Sequence, residues 1–184
     1  KIPDSVIRIG AGAFLRCSSL TSIEIPNSVT NIEHWAFQDC SSLKSIKIPK
    51  SVTSIGECIF QGCSSLTSIE IPGSFIDDFS RTQNLSGLNL TNVKIMDGAT
   101  SIGSIVFQDC SNLTSIEIPD SVVSIGMSAF SGCSSLTSIE IPDGVTSIAY
   151  GVFSSCSSLT NIKIPNAVTS IEGFAFRNCS SLTS

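Results

Sequence analysis

The chain has 184 residues, of which 14% are charged and 41% hydrophobic, and its formal net charge is −5. That balance excludes the strongly basic footprint of a nucleic-acid binder, and no apolar run approaches the ~18 residues needed to cross a bilayer. Serine, threonine and isoleucine dominate, and none of the eight cysteines stands in a short Cys-x-x-Cys or Cys/His grouping of the kind metal sites use.

Taken in chain order, the elements repeat. Ile-Pro pairs begin at Ile2, Ile25, Ile48, Ile71, Ile118, Ile141 and Ile164, and Ile95 holds the missing place, followed by Met96 where proline is expected. Cysteines keep the same beat at 17, 40, 63, 110, 133, 156 and 179, with Cys58 off it. Their spacing is 23 residues except for one step of 47, so one repeat has lost its cysteine and gained a residue. The chain is an array of eight units of about 23 residues. It begins mid-unit at KIPDSV and ends mid-unit at CSSLTS, so it is expected to be a segment of a longer array. The lack of a targeting segment then says little about location.

The unit reads L-T-S-I-x-I-P-x-S-V-T-S-I-G-x-x-A-F-x-x-C-S-S. Its first part, as in Leu66, Ile69 and Ile71, predicts a short strand that Pro72 stops, because proline has no N–H for a ladder. The V-T-S-I part (Val52, Ile55) predicts a second short extended piece. Gly56 then permits a sharp turn, and the x-x-A-F part predicts a single helical turn with Phe60 inward. A unit this small cannot fold alone and must bury its apolar residues against the next coil. Stacked coils would set equivalent residues ~4.8 Å apart, with Phe14, Phe37, Phe60, Phe107, Phe130, Phe153 and Phe176 as an aromatic spine. The residue inside I-x-I runs Lys1, Glu24, Lys47, Glu70, Lys94, Glu117, Glu140, Lys163. Opposite charges alternate except at Glu117 and Glu140, the pattern an in-register parallel stack favours. A charged strip for a ligand is the other reading, although alternation cancels its long-range field.

The pattern L-x-x-I-x-I-P-x-x-V-x-x-I-x-x-x-A-F-x-x-C resembles the BspA-like leucine-rich repeats, over seven units well and one poorly. The resemblance implies an α/β leucine-rich repeat solenoid, mostly β: a right-handed curved stack of about eight coils forming a single domain over 1–184. Its parallel sheet would line the concave side, with short extended pieces and single helical turns on the other. It also implies a non-enzymatic adhesion module, extracellular or on a cell surface, whose partners are host matrix or cell-surface proteins. The asparagine usual in leucine-rich repeats is not obvious. Ser28, Ser51, Ser74 and Ser121 occupy a nearby ladder and are expected to bond the turn instead, with Gly144 and Ala167 breaking the run.

No catalytic, cofactor or metal site is expected. His34 is the only histidine, stands beside Trp35 without a paired nucleophile, and is expected at the surface. Stacked cysteines have Cα atoms close enough for a bridge, but their Cβ vectors run parallel. Buried reduced thiols are the favoured reading, and disulfides between neighbours the alternative. Cys58 aligns with Gly12, Trp35, Ile105, Ser128, Gly151 and Phe174, which suggests a tolerant position near the surface and the most reactive thiol. Candidate partner-binding residues are Thr21, Lys44, Thr67, Thr91, Thr114, Thr137 and Thr160 on the strand face. Asp77, Asp78 and Arg81 join them from the irregular repeat 73–95, where Phe75, Phe79 and Leu85 are expected to replace the spine. Sequons at Asn84, Asn89, Asn112 and Asn178 are permissive only. Two other functions stay open, a structural spacer and a Thr array that orders ice. An uncapped array also exposes core at its ends, so end-to-end self-association of the segment is expected.

Overall fold

The computed structural model describes residues 1–76, 85 and 88–184. Short strands recur along it: β1 (Arg8–Ile9), β2 (Asn31–Ile32), β3 (Ser45–Lys47), β4 (Ser54–Ile55), β5 (Ser68–Ile71), β6 (Asn92–Ile95), β7 (Ser101–Ile102), β8 (Ser115–Glu117), β9 (Ser124–Ile125), β10 (Ser147–Ile148) and β11 (Ser170–Ile171). All pairing is parallel and between successive coils, so the chain is a mostly-β parallel solenoid of about seven turns.

The L-T-S-I-x-I segments form one sheet in the order β3-β5-β6-β8. Ile46 lies beside Ile69, Ile69 beside Val93, and Val93 beside Ile116. The V-T-S-I segments form smaller sheets, β1-β2-β4, β7-β9 and β10-β11. Side chains that alternate inward from both series make a continuous core. Leu43, Leu66, Leu90, Leu113, Leu136 and Leu159 lose all their exposure, as do Val29, Val52, Val122 and Val145. Each such side chain stabilises by roughly 1.5–3 kcal/mol when fully buried, which a coil obtains only between two neighbours. The spine forms as expected: Phe107, Phe130, Phe153 and Phe176 stack with centroids 5.4, 5.7 and 5.6 Å apart.

The expected single helical turns do not form. Among the described residues the one helical segment is a 3-10 turn, Gly73–Phe75. Elsewhere the x-x-A-F-x-x-C stretch is a series of overlapping turns, because alternate N–H groups leave the coil. Gln38 and Cys40 donate back to the carbonyls of Trp35 and Phe37. The intervening Trp35, Phe37 and Asp39 donate forward to Glu57, Ile59 and Gln61 of the next coil. An α-helix would need all these donors for its own carbonyls. Every coil of this kind also places two residues in the left-handed region, four apart: Trp35 (φ 59°) with Asp39 (φ 58°), and Ile105 (φ 59°) with Asp109 (φ 57°). Gly56 has another role than the expected turn. It lies so close to the preceding coil that a Cβ would overlap the His34 backbone, and Gly126 meets Ser104 in the same way.

Candidate functional site

The strand face carries the candidate threonines. Thr21, Lys44, Thr67, Thr91, Thr114, Thr137 and Thr160 are all exposed and stand in one column. Their hydroxyls are nevertheless largely committed to the scaffold. Thr67 donates to the Lys44 carbonyl at 3.3 Å, Thr91 to Thr67 at 3.2 Å, Thr114 to Thr91 at 2.9 Å and Thr160 to Thr137 at 3.2 Å. Each O–H staples one coil to the one before it, leaving methyl groups and lone pairs outward.

Beside the threonines runs the charged rung, in the register that alternation favours. Lys47 pairs with Glu70, Glu70 with Lys94, and Lys94 with Glu117. The Nζ–Oε2 distances are 2.7 Å for Lys47–Glu70 and 2.9 Å for Lys94–Glu117. The Glu117 carboxylate, as hydrogen-bond partner and as opposite charge, holds the Lys94 ammonium above its ordinary range. The sheet stops at β8, where the next rung would set Glu140 against Glu117; Glu140 pairs instead with Lys163. Like charges in direct register oppose pairing. Shallow grooves follow this rung. One of about 370 Å³ is lined by Lys50, Glu70, Lys94, Asp97 and Glu117, and another of about 410 Å³ by Asp120, Glu140, Asp143 and Lys163.

The irregular coil keeps the strand face and rewrites the rest. The hydrogen bonds identify which residue takes which place. Leu85 N–H donates to Val106 and its carbonyl accepts the Cys110 thiol, so Leu85 stands in the phenylalanine spine. Leu88 N–H donates to the Leu85 carbonyl, which puts Leu88 where the cysteine belongs. Phe75 N–H donates to Pro72 as Val52 does to Pro49, so Phe75 fills the valine place and not the spine. Ile76 accepts from Gly103 as Ile102 does from Gly126. The single extra residue seen in the spacing is therefore a net result. Ile76 follows Pro72 by four positions where Ile125 follows Pro119 by six. Leu85 follows Ile76 by nine where Phe107 follows Ile102 by five, and Leu90 follows Leu88 by two where Leu113 follows Cys110 by three. The shortened piece accounts for the interruption of the small sheets between β4 and β7. Met96 N–H, which proline would lack, adds a bond to the Ile71 carbonyl at 2.9 Å. Asp77, Asp78, Phe79, Arg81 and Asn84 lie outside the described residues.

The cysteines are free thiols. From Cys40 onward each ladder thiol donates to a carbonyl of the preceding coil three places before that coil's own cysteine position: Cys63 to Phe37 at 3.1 Å, Cys133 to Phe107 and Cys156 to Phe130 at 3.2 Å. Burial pushes the thiols of Cys63, Cys110 and Cys156 up to about 12 and raises that of Cys133 too. They are structural donors, disfavoured as thiolates. The serine ladder also bonds between coils and not within its own turn, Ser28 to Val6 and Ser51 to Val29, both at 2.7 Å. Cys58 is half-buried, and its position is less permissive than its residue variety suggests. Trp35, Cys58, Ile105, Ser128 and Phe174 are all held at φ between 54° and 60°. Sequence reasoning missed this demand because bulky residues hide it. The signal lay four places on, where Asp39, Gly62, Asp109, Gly132 and Asn178 are residues that tolerate the left-handed region.

Further exposed apolar side chains stand on the turn side, among them Trp35, Met127, Tyr150 and Phe174. Tyr150 meets Phe174 edge-on at 5.4 Å, and the Arg177 guanidinium lies 5.3 Å from the Phe174 centroid. His34 is exposed as expected. Among the described residues, no group of three or more His, Cys, Asp or Glu side chains could hold a metal ion. No helix among them is long and apolar enough to cross a membrane.

Parallel in-register coils, a leucine core and a leucine-led strand at a fixed place in the turn define a leucine-rich repeat solenoid. The sequence profile described as a BspA type leucine rich repeat region (6 copies) matches residues 1–82 and again 81–184. The chain belongs to the BspA-type leucine-rich repeat family. Among solved structures it is similar to a leucine-rich repeat protein of Bacteroides ovatus, with 30% identity and a TM-score of 0.77 over 99% of this chain and 52% of that one. A leucine rich cell surface protein of Faecalibacterium prausnitzii shares 35% identity with a TM-score of 0.53, over 98% of this chain and 51% of that one. The leucine-rich repeat protein of T. pallidum shares 29%, with a TM-score of 0.63 over 89% of this chain and 75% of that one. The chain thus spans about half the length of the first two. No curated protein sequence matches it.

Proposed function

We propose that the chain is a non-enzymatic protein-binding module of a surface or secreted protein, docking its partner along the strand face. The observation that carries the reading is the sheet β3-β5-β6-β8, which runs unbroken through the irregular coil while the small sheets do not. A continuous column of exposed side chains on a stapled scaffold suits a flat protein partner. The grooves along Lys47, Glu70, Lys94 and Glu117 add charged contacts of both signs. The likeness to a protein described as a cell surface protein supports the location. The proposed partners are host matrix or cell-surface proteins, contacted through Thr21, Lys44, Thr67, Thr91, Thr114, Thr137 and Thr160, with Asp77, Asp78 and Arg81 as the second candidate contact.

The test is binding of the chain to an immobilised panel of extracellular-matrix proteins. A Thr67→Glu/Thr114→Glu variant, whose changes sit two coils apart, is expected to bind at least about tenfold more weakly than the parent, a loss of about 1.4 kcal/mol. A variant with residues 73–95 replaced by a regular unit reports on the irregular repeat. If both variants bind like the parent, the strand-face reading fails. One observation favours a second reading, a spacer that projects other domains: the threonine hydroxyls point into the scaffold. A correctly folded chain that binds no member of the panel supports the spacer.

A further inference from the structure

On the turn side, the residue before each left-handed position has an N–H that the coil-to-coil ladder does not use. Among the described residues, two such N–H groups meet a side-chain acceptor. Ala11 N–H donates to Glu33 Oε2 at 2.9 Å, and Glu57 N–H donates to His34 Nδ1 at 3.0 Å. The second contact is half of a clasp, because Trp35 N–H donates to the Glu57 carbonyl at 3.0 Å. Two bonds therefore tie the His34–Trp35 turn to Glu57. Trp35 is held at φ 59° with half its surface exposed, and its ring centroid lies 5.8 Å from the imidazole at an interplanar angle of 49°. A bulky residue in that region is uncommon and needs surrounding bonds to hold it.

We propose that His34 is a proton-operated latch on the turn that displays Trp35. The neutral imidazole accepts the Glu57 N–H at Nδ1. Protonation places an N–H on that same atom, so donor faces donor and the bond has to open. Histidine is the side chain whose charge changes across mildly acidic pH. The charged groups around it set the direction of the response. On its own coil, Glu33 is engaged with Arg8 of the preceding coil at 3.3 Å and with Ala11 N–H. On the following coil stand the exposed Glu57 carboxylate and the half-buried Cys58. The exposed Glu57 carboxylate would attract the protonated ring once the main-chain N–H is released. Gly56 N–H, donating to the Ile32 carbonyl at 2.7 Å, and Trp35 N–H, donating to the Glu57 carbonyl, keep the two coils together, so the adjustment falls on the His34 and Trp35 side chains. Acidification would then alter how the chain's single tryptophan is presented.

The experiment follows the ¹⁵N-labelled full chain by NMR from pH 8 to pH 5. The Glu57 amide is expected to lose at least about fivefold of its exchange protection, corrected for the intrinsic rate, on the same curve as the His34 ring. The emission of Trp35 should change with it. A Glu57→Gln variant keeps the N–H and removes the carboxylate, so the amide response persists in it if the latch is real. In His34→Gln the response disappears. The proposal is overturned if the Glu57 amide keeps its shift and protection through the His34 titration, or if His34→Gln responds to acid as the parent does.

Discussion

A regular coil such as 120–142 and the irregular coil 73–95 solve the same packing problem with different residues. In the regular coil Val122 packs ahead of the second strand, Phe130 fills the spine and Cys133 donates its thiol back to the Phe107 carbonyl. In the irregular one, Leu85, Leu88 and Phe75 take the corresponding places of Phe, Cys and Val. All three are buried. The strand with its leucine is common to both, and β5, β6 and β8 pair across the junction without a slip. The coil therefore needs its strand register and a filled interior, and the turn side accepts apolar substitutes of different size. That tolerance has a physical basis: a one-residue slip in a strand turns every side chain to the other face, whereas a turn absorbs an insertion at its solvent edge.

The comparison is tested most severely at the spine. Phe130 has no exposure and stacks between Phe107 and Phe153. Phe130→Ala should cost about 3–5 kcal/mol in urea or guanidinium unfolding. If Leu85 holds the equivalent place, Leu85→Ala should cost about 2–5 kcal/mol despite its setting in the irregular coil. A Leu85→Ala cost near zero would break the equivalence.

The cysteine ladder gives the next largest effect. Cys133→Ala removes a thiol donor from the Phe107 carbonyl, which still accepts the Cys110 N–H, and should cost about 1–3 kcal/mol. Leu88→Cys restores the ladder donor to the irregular coil but removes apolar volume from a buried site, and should cost about 1–3 kcal/mol. Alkaline unfolding addresses the thiols together. Their ordinary value is 9.0, and burial holds those of Cys63, Cys110 and Cys156 near 12. Above about pH 9 the unfolded chain releases protons that the folded chain retains, so the unfolded state binds fewer and stability falls as pH rises. The urea midpoint should be flat below pH 8 and decline steadily toward pH 11. Replacing Cys63 and Cys133 by Ala should shallow that decline.

These effects also mark what could be read from residues alone. The strand series, the Phe14-to-Phe176 spine and the register of the charged rung were legible, because each is set by side-chain type at a fixed period. The turn side was less so. Left-handed φ is a backbone property, and Trp35, Ile105 and Phe174 are poor advertisements for it. The thiol acceptors could not be inferred either, since a Cys that packs as a small hydrophobe and one that also donates to a carbonyl look alike in sequence. In the irregular coil, spacing reports only the sum of its changes. A net gain of one concealed a shortened second strand, a longer stretch before Leu85 and a shorter step after Leu88. The exposed threonines were correctly placed on the surface, but their hydroxyls face the neighbouring coil.

The smallest expected effect tests the rung, where regular and irregular parts of the array share one column. Glu70 sits in register between Lys47 and Lys94, so Glu70→Gln removes two attractions. Glu140 lies between Glu117 and Lys163 along the column, so Glu140→Gln removes one repulsion together with one attraction. Glu70→Gln should therefore lower the urea midpoint slightly at low salt, and Glu140→Gln should leave it nearly unchanged. Both groups are at the surface, where salt screens such pairs, so the difference should vanish by about 1 M salt. Equal effects at low salt would mean that charge order does not help set the coil register, and that the strand face is held by its leucines and hydroxyl staples alone.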